Sequence, residues 1–198
     1  MKSSPRWFTD TPEGNSQRYV ERFRQLVASG ADLDGEARLI DAMVSRNSRI
    51  LDAGCGSGRT SAALFARGHF VVGVDIDSTL VAAARQDHAG PNWVMADLVD
   101  FDLPAAGHVE PFDMIVSAGN VLSYVEVGTE VRVLERFRAH LAPAGRVVVG
   151  FQTERYAVAD FDEHVVQAGL VLEQRFSTWD LQPWNEHADF AVSVLRHS

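Results

Sequence analysis

The chain has 198 residues, 46% of them apolar and 23% charged, and carries a formal net charge of -9. These proportions are those of an ordinary globular protein, and the length suits a single domain that buries roughly 70% of its unfolded surface. The negative balance repels phosphate backbones, no apolar run approaches the ~18 residues of a membrane span, and the lone Cys55 has no cysteine partner, so nucleic acid and membrane partners are not expected and a reducing cytoplasm is.

Residues 1–14 are polar, contain Pro and Gly, and have no apolar signal region; they read as a mobile arm with Trp7 and Phe8 as anchors. Tyr19, Val20, Phe23, Leu26 and Val27 recur at helical spacing before a stop at Gly30. A second helix is expected over 35–46, with Leu39, Ile40, Met43 and Val44 on one side, and together residues 15–46 form an N-terminal helical lid. The core, 49–196, then alternates: strand 49–53, helix 57–67, strand 70–75, helix 78–87, strand 93–96, strand 112–117. A longer helix placing Val127, Val131, Leu134 and Leu141 on one face leads to strand 146–151 and a helix near 159–168. Two strand-like runs, 170–178 and 188–196, close the chain with only a loop between them.

That alternation predicts a doubly wound α/β fold with helices on both faces of a mostly parallel sheet. A two-strand finish without a crossover helix makes the seventh strand antiparallel to its neighbour. Ligands of such sheets bind outside the carboxyl ends of the strands, at the point where the winding reverses.

Those ends carry the chemistry. Strand one ends in Asp52 and a Gly54-x-Gly56-x-Gly58 turn that lets bare backbone approach a ligand. Strand two ends in Asp75, followed by Ile76, and places a carboxylate to accept from ribose hydroxyls. Strand three leads into Ala96-Asp97-Leu98, with Asp97 placed to accept from an exocyclic adenine amine. Strand four opens into Ser117-Ala118-Gly119-Asn120.

As a set these stretches resemble the class I S-adenosylmethionine-dependent methyltransferases, over about residues 49–196. Asp52-x-Gly54-x-Gly56-x-Gly58 looks like the family's first motif, Asp75 like its ribose acid and Asp97 like its adenine-contacting acid. Gly119-Asn120-Val121 and Thr178-Trp179-Asp180-Leu181-x-Pro183-Trp184 are similar to small bacterial members with mostly unassigned substrates. The resemblance implies S-adenosyl-L-methionine as cofactor, held by Asp52, Gly54, Cys55, Gly56, Asp75, Ile76, Ala96, Asp97, Leu98, Ser117 and Ala118. Tyr19 and Arg22, with Arg18, are expected to close over it, an arginine meeting its carboxylate; a solvated helix face is the other reading.

A nicotinamide cofactor would prefer Gly or Ala where Arg59 stands, and a phosphate loop would want Gly-Lys-Ser/Thr where Gly58-Arg59-Thr60 stands. No compact histidine spacing suggests a metal. For the acceptor, Asn120 and Tyr124 follow strand four, Gln152, Arg155 and Tyr156 follow strand five, and Trp179 and Trp184 occupy the loop after strand six. Against these stand two structural readings, Asn120 as a helix cap and the tryptophans as pins for the final strand pair. Asp180 and His187 are candidate bases or ordinary loop residues. No Asn/Asp-Pro-Pro-aromatic motif follows strand four, and the only cysteine lies in the glycine turn, which sets aside amine methylation of DNA or glutamine and covalent cytosine methylation. The expected activity is methyl transfer to a small, partly aromatic or apolar metabolite. A nicotinamide-dependent dehydrogenase and a non-catalytic S-adenosylmethionine-binding partner subunit are the alternatives, and the oligomeric state stays open.

Overall fold

A computed structural model describes residues 4–198. Seven strands form one sheet in the order β3-β2-β1-β4-β5-β7-β6. They are β1 (Arg49–Ala53), β2 (Phe70–Asp75), β3 (Asn92–Met95), β4 (Phe112–Ser117), β5 (Leu141–Gln152), β6 (Leu170–Phe176) and β7 (Phe190–His197). β1 pairs in parallel with both β2 and β4, so the chain winds outward in two directions from the β1–β4 seam. β7 runs antiparallel to both β5 and β6, as the loop-only finish predicts.

Both faces of the sheet are buried, which is why the central strands read as near-continuous apolar runs. Side chains alternate across it. Leu51, Val72, Ile115 and Val149 pack on one face with Phe137 of α6 (Glu130–His140) and Phe161 of α7 (Val158–Gln167). Ile50, Val71, Met114 and Val148 pack on the other with Ile40 of α3 (Gly35–Met43) and Leu64 of α4 (Arg59–Ala66).

Several boundaries differ from the expectation. The helix predicted from residue 57 begins at Arg59, because Gly58 takes a left-handed φ of 86° at its N-cap. Val127, expected on the inner face of the long helix, precedes α6 and is exposed; Leu141, expected at that helix's end, opens β5, which starts five residues before the predicted strand. Residues 1–3 of the expected mobile arm lie outside the described residues, but the rest of it is folded. α1 (Arg6–Thr9) precedes α2 (Asn15–Ala28), so three helical segments rather than two stand before β1. The Trp7 backbone N–H donates to the Tyr124 carbonyl at 3.1 Å, fastening the segment to the turn after β4.

Candidate functional site

The carboxyl ends of β1, β2 and β4, with the segment after β3, converge on one cleft. Asp52, Gly54, Cys55, Gly56, Asp75, Ile76, Asp97, Leu98 and Ala118 all line it. Asp75 ends β2 almost fully buried; its Oδ2 accepts the Gly56 N–H at 2.8 Å and its Oδ1 the Asp77 N–H at 2.9 Å. Burial pushes its carboxyl above the ordinary range, and those N–H groups act in the opposite direction. Asp52 accepts the Ser61 hydroxyl at 2.6 Å across the first turn of α4. Burial raises it to about 6, against the pull of Ser61 and of the Arg59 charge. Asp97 takes the Val99 N–H on Oδ1 at 3.0 Å.

The glycine turn has little left to offer an anion. The N–H groups of Gly54 and Cys55 both donate to the Val74 carbonyl, at 2.8 and 3.0 Å, Gly56 donates to Asp75, and Gly58 donates to Cys55 at 3.0 Å. A phosphate cradle needs such groups free and pointing at the ligand. Here three carboxylates face the cleft instead, an arrangement that accepts hydroxyl and amine donors and repels a diphosphate. Gly54 is required for space as well as for positive φ, since a Cβ there would lie 2.5 Å from Val121; one on Gly56, also at positive φ, would press on the Tyr19 hydroxyl at 3.3 Å. Burial raises the Cys55 thiol well above its usual range, which denies it the thiolate a nucleophile needs. Among the described residues no group of three His, Cys, Asp or Glu gathers for a metal.

Aromatic side chains roof the cleft. Trp7 meets Tyr124 edge-on at 5.5 Å between ring centroids and Tyr19 at 6.1 Å, and all three line the cavity. Asp77 anchors this roof: its Oδ2 accepts the Trp7 indole N–H at 2.7 Å and the Ser16 hydroxyl, while its Oδ1 accepts from Thr79 and Leu80 at the start of α5 (Ser78–Asp87). Burial pushes the Tyr19 hydroxyl up to about 12. Arg59 lines the cleft floor but is held by Glu36 in a two-pronged pair of 2.9 and 2.7 Å. Neither the Trp7–Asp77 contact nor the Arg59–Glu36 pair was anticipated. Asp77 ahead of Ser-Thr-Leu is a readable helix-cap signature, whereas nothing local announces its second partner.

Other expected site residues lie elsewhere. Arg22 is exposed with its guanidinium 5.9 Å from the Phe23 ring; Phe23 takes the position one turn after Tyr19 and packs against its ring, so Arg22 faces solvent. Ser117 is buried within β4 with an unpartnered hydroxyl, and Ala96 packs against the core, both outside the cleft lining. Asn120 sits at φ 68° before the 3-10 turn Val121–Ser123, with no side-chain cap bond. Its Oδ1 accepts the Gln152 N–H at 2.6 Å and its Nδ2 donates to Gln152 Oε1 at 3.3 Å, bracing the ends of β4 and β5 outside the cleft. Tyr156 turns into the core against Phe151 and Phe161 and bonds His164. Trp179 packs on one face of the sheet and Trp184 on the other, where Arg175 lies 5.4 Å from the Trp184 ring. Asp180 is exposed and bonded by the Thr178 hydroxyl, which lowers its carboxyl, and the His187 side chain is 88% exposed beside Glu186, so neither reaches the cleft as a base. Of the acceptor residues, Tyr124 alone borders the cleft, while Arg155 reaches the Tyr124 hydroxyl from outside at 3.3 Å.

Comparison with known proteins agrees with this geometry. The family model described as a methyltransferase domain matches residues 51–147. The crystal structure of a TehB-like SAM-dependent methyltransferase from Corynebacterium glutamicum superposes with a TM-score of 0.87 at 40% identity, covering 94% of this chain and 100% of that one. An uncharacterized methyltransferase of Mycobacterium tuberculosis is 34% identical over 114 residues, 56% of this chain and 54% of the relative. A ribosomal protein L11 methyltransferase of Neisseria meningitidis is 32% identical over 186 residues, 91% of this chain and 55% of that protein. The chain thus spans about half the length of these two relatives. With the cleft, the reversed last strand and these likenesses together, the chain belongs to the S-adenosylmethionine-dependent methyltransferases.

Proposed function

We propose that the chain transfers a methyl group from S-adenosylmethionine, held in this cleft, to a small-molecule acceptor. The observation that carries the reading is the pairing of an internally satisfied glycine turn with three carboxylates, Asp52, Asp75 and Asp97, facing one cavity. That pattern supports an adenosyl ligand bearing hydroxyl and amine donors and disfavours the dinucleotide of a dehydrogenase. When bound, the cofactor would supply an electrophilic methyl on a sulfonium, the acceptor–carbon bond forming in line as sulfur leaves with the carbon–sulfur electron pair. Asp75 would accept from the ribose hydroxyls and Asp97 from the adenine amine. Trp7, Tyr19 and Tyr124 cover the ligand and exclude water. A Cβ on Gly119 would meet nothing within 4 Å, so the segment after β4 leaves room beside the cleft.

A relative named for ribosomal protein L11 raises a protein acceptor as the second reading. The aromatic roof favours the small molecule, because a folded protein would have to displace Trp7 and Tyr124 together. Calorimetry with S-adenosylmethionine, S-adenosylhomocysteine and NAD tests the cofactor. Labelled-methyl transfer to a metabolite extract, set beside transfer to ribosomal proteins, tests the acceptor. Saturable heat with NAD alone overturns the cofactor assignment, and label appearing only in protein overturns the small-molecule one.

A further inference from the structure

The geometry points to an acceptor subsite for a carboxylate-bearing small molecule in a second cavity, on the far side of Tyr124 from the cofactor cleft. This rests on the cofactor reading above and adds the class of acceptor. The cavity measures ≈ 440 Å³, within the range of small-ligand sites. The two cavities share Tyr124, and the same two short elements divide them: α1 turns Trp7 to the cleft and Arg6 to the cavity, while the 3-10 turn gives Val121 to the cleft and Ser123 to the cavity.

The cavity's polar groups are unevenly satisfied. Arg6 is paired with Asp10 at 2.9 Å. Arg155 is exposed and has no carboxylate within ion-pair reach among the described residues, and two hydrogen bonds orient it. Its Nε donates to Gln152 Oε1 at 2.7 Å, its Nη1 to the Tyr124 hydroxyl at 3.3 Å, and its guanidinium lies 5.8 Å from the Tyr124 ring. Gln152 is fixed in turn by the Asn120 brace. A guanidinium oriented by these contacts, with donors the protein leaves unused, makes a receptor for a planar oxyanion. In a chain of net charge -9 an anionic acceptor needs such a local cation. Glu154, exposed at the rim, confines the anionic group to the Arg155 side and admits a cationic or neutral remainder.

The test is calorimetry on the full chain loaded with S-adenosylhomocysteine, titrated with citrate, succinate, succinamide and inorganic phosphate. Saturable heat is expected with citrate or succinate and none with succinamide. Arg155→Gln should weaken the carboxylate by about 10- to 100-fold, the value of a hydrogen bond to a charged group, while Arg155→Lys recovers part of the loss and S-adenosylhomocysteine affinity stays within twofold of wild type. Carboxylates that give no saturable heat to the loaded protein, that bind Arg155→Gln as tightly as wild type, or that fail where phosphate succeeds overturn the subsite. Failure of S-adenosylhomocysteine itself to bind overturns the cofactor reading and the acceptor assignment with it.

Discussion

Asp77 and Trp7 stand 70 residues apart in sequence and meet at 2.7 Å, indole N–H to carboxylate, so the first helix of the chain is tied directly to the start of α5. The same carboxylate caps α5 through Thr79 and Leu80, which makes one side chain responsible both for beginning a helix and for seating the roof of the cleft. Trp7→Phe keeps an aromatic ring against Tyr19 and Tyr124 and deletes only the hydrogen bond. S-adenosylhomocysteine affinity should fall by about 1 kcal/mol, less than the full value of a bond to a charged group because Trp7 is half-buried. Trypsin should also cut after Arg6 faster than in wild type. Unchanged affinity together with unchanged cleavage would show that the segment is held by other contacts.

Asp75 holds the glycine turn as well as being the proposed acceptor for the ribose. In Asp75→Ala the Gly56 and Asp77 N–H groups lose their acceptor, so stability should fall by about 1–3 kcal/mol in addition to a loss of about 1.5–3 kcal/mol in cofactor affinity. Calorimetry with S-adenosylhomocysteine, run beside urea unfolding, separates the two effects. Gly56→Val places a branched side chain at φ 56° against the Tyr19 hydroxyl and should abolish binding while the circular dichroism spectrum is retained. An Asp75→Ala variant with wild-type affinity would remove the ribose assignment.

Asp52 offers a test by pH. Its folded value of about 6 lies above the unfolded 3.8, so between these values the native state binds the proton more tightly. This contribution favours folding fully below the unfolded value and is lost as pH rises through about 6, amounting to up to about 3 kcal/mol. Asp52→Asn removes it. The stability difference between variant and wild type should therefore move in the variant's favour from pH 4 to pH 7, read by urea unfolding at each pH. A pH-independent difference would mean that Asp52 titrates normally in the folded chain.

The lining of the cleft was legible because its groups stand at strand ends, where neighbouring residues alone decide position. Asp52, Asp75 and the glycine turn each follow an apolar run whose length fixes where the chain emerges. The reversed β7 was legible for a similar local reason, a connection with no helical pattern to serve as a crossover. The acceptor rim was not. Whether Asn120 faces a ligand or Gln152 depends on the spacing of β4 and β5, and whether Tyr156 faces the rim or Phe161 depends on how α7 packs. Trp7 reaches Asp77 only because α1 folds back onto the turn after β4. Such contacts join residues distant in the chain, and periodicity carries no trace of them.

The two tryptophans after β6 give the sharpest contrast between wall and scaffold. Gly150 in β5 leaves a slot that the Trp179 ring fills, since a Cβ there would lie 2.5 Å from the ring. Trp184 covers the opposite face, where Arg175 lies against its ring and pairs with Asp162 of α7. Both residues therefore tie the final strand pair to the rest of the sheet, and neither lines the cofactor cleft. Trp179→Ala should cost about 2–4 kcal/mol, somewhat less than a fully buried tryptophan because the ring is half-exposed. For a chain of this size that lowers Tm by about 5–12 °C. Trp184→Ala should cost less, about 1–2 kcal/mol, through lost packing and the cation–π contact. S-adenosylhomocysteine affinity of the folded variants should stay within twofold of wild type, and turnover per folded molecule should be preserved once an acceptor is in hand. A variant that keeps its Tm but loses turnover would return the loop to the acceptor site.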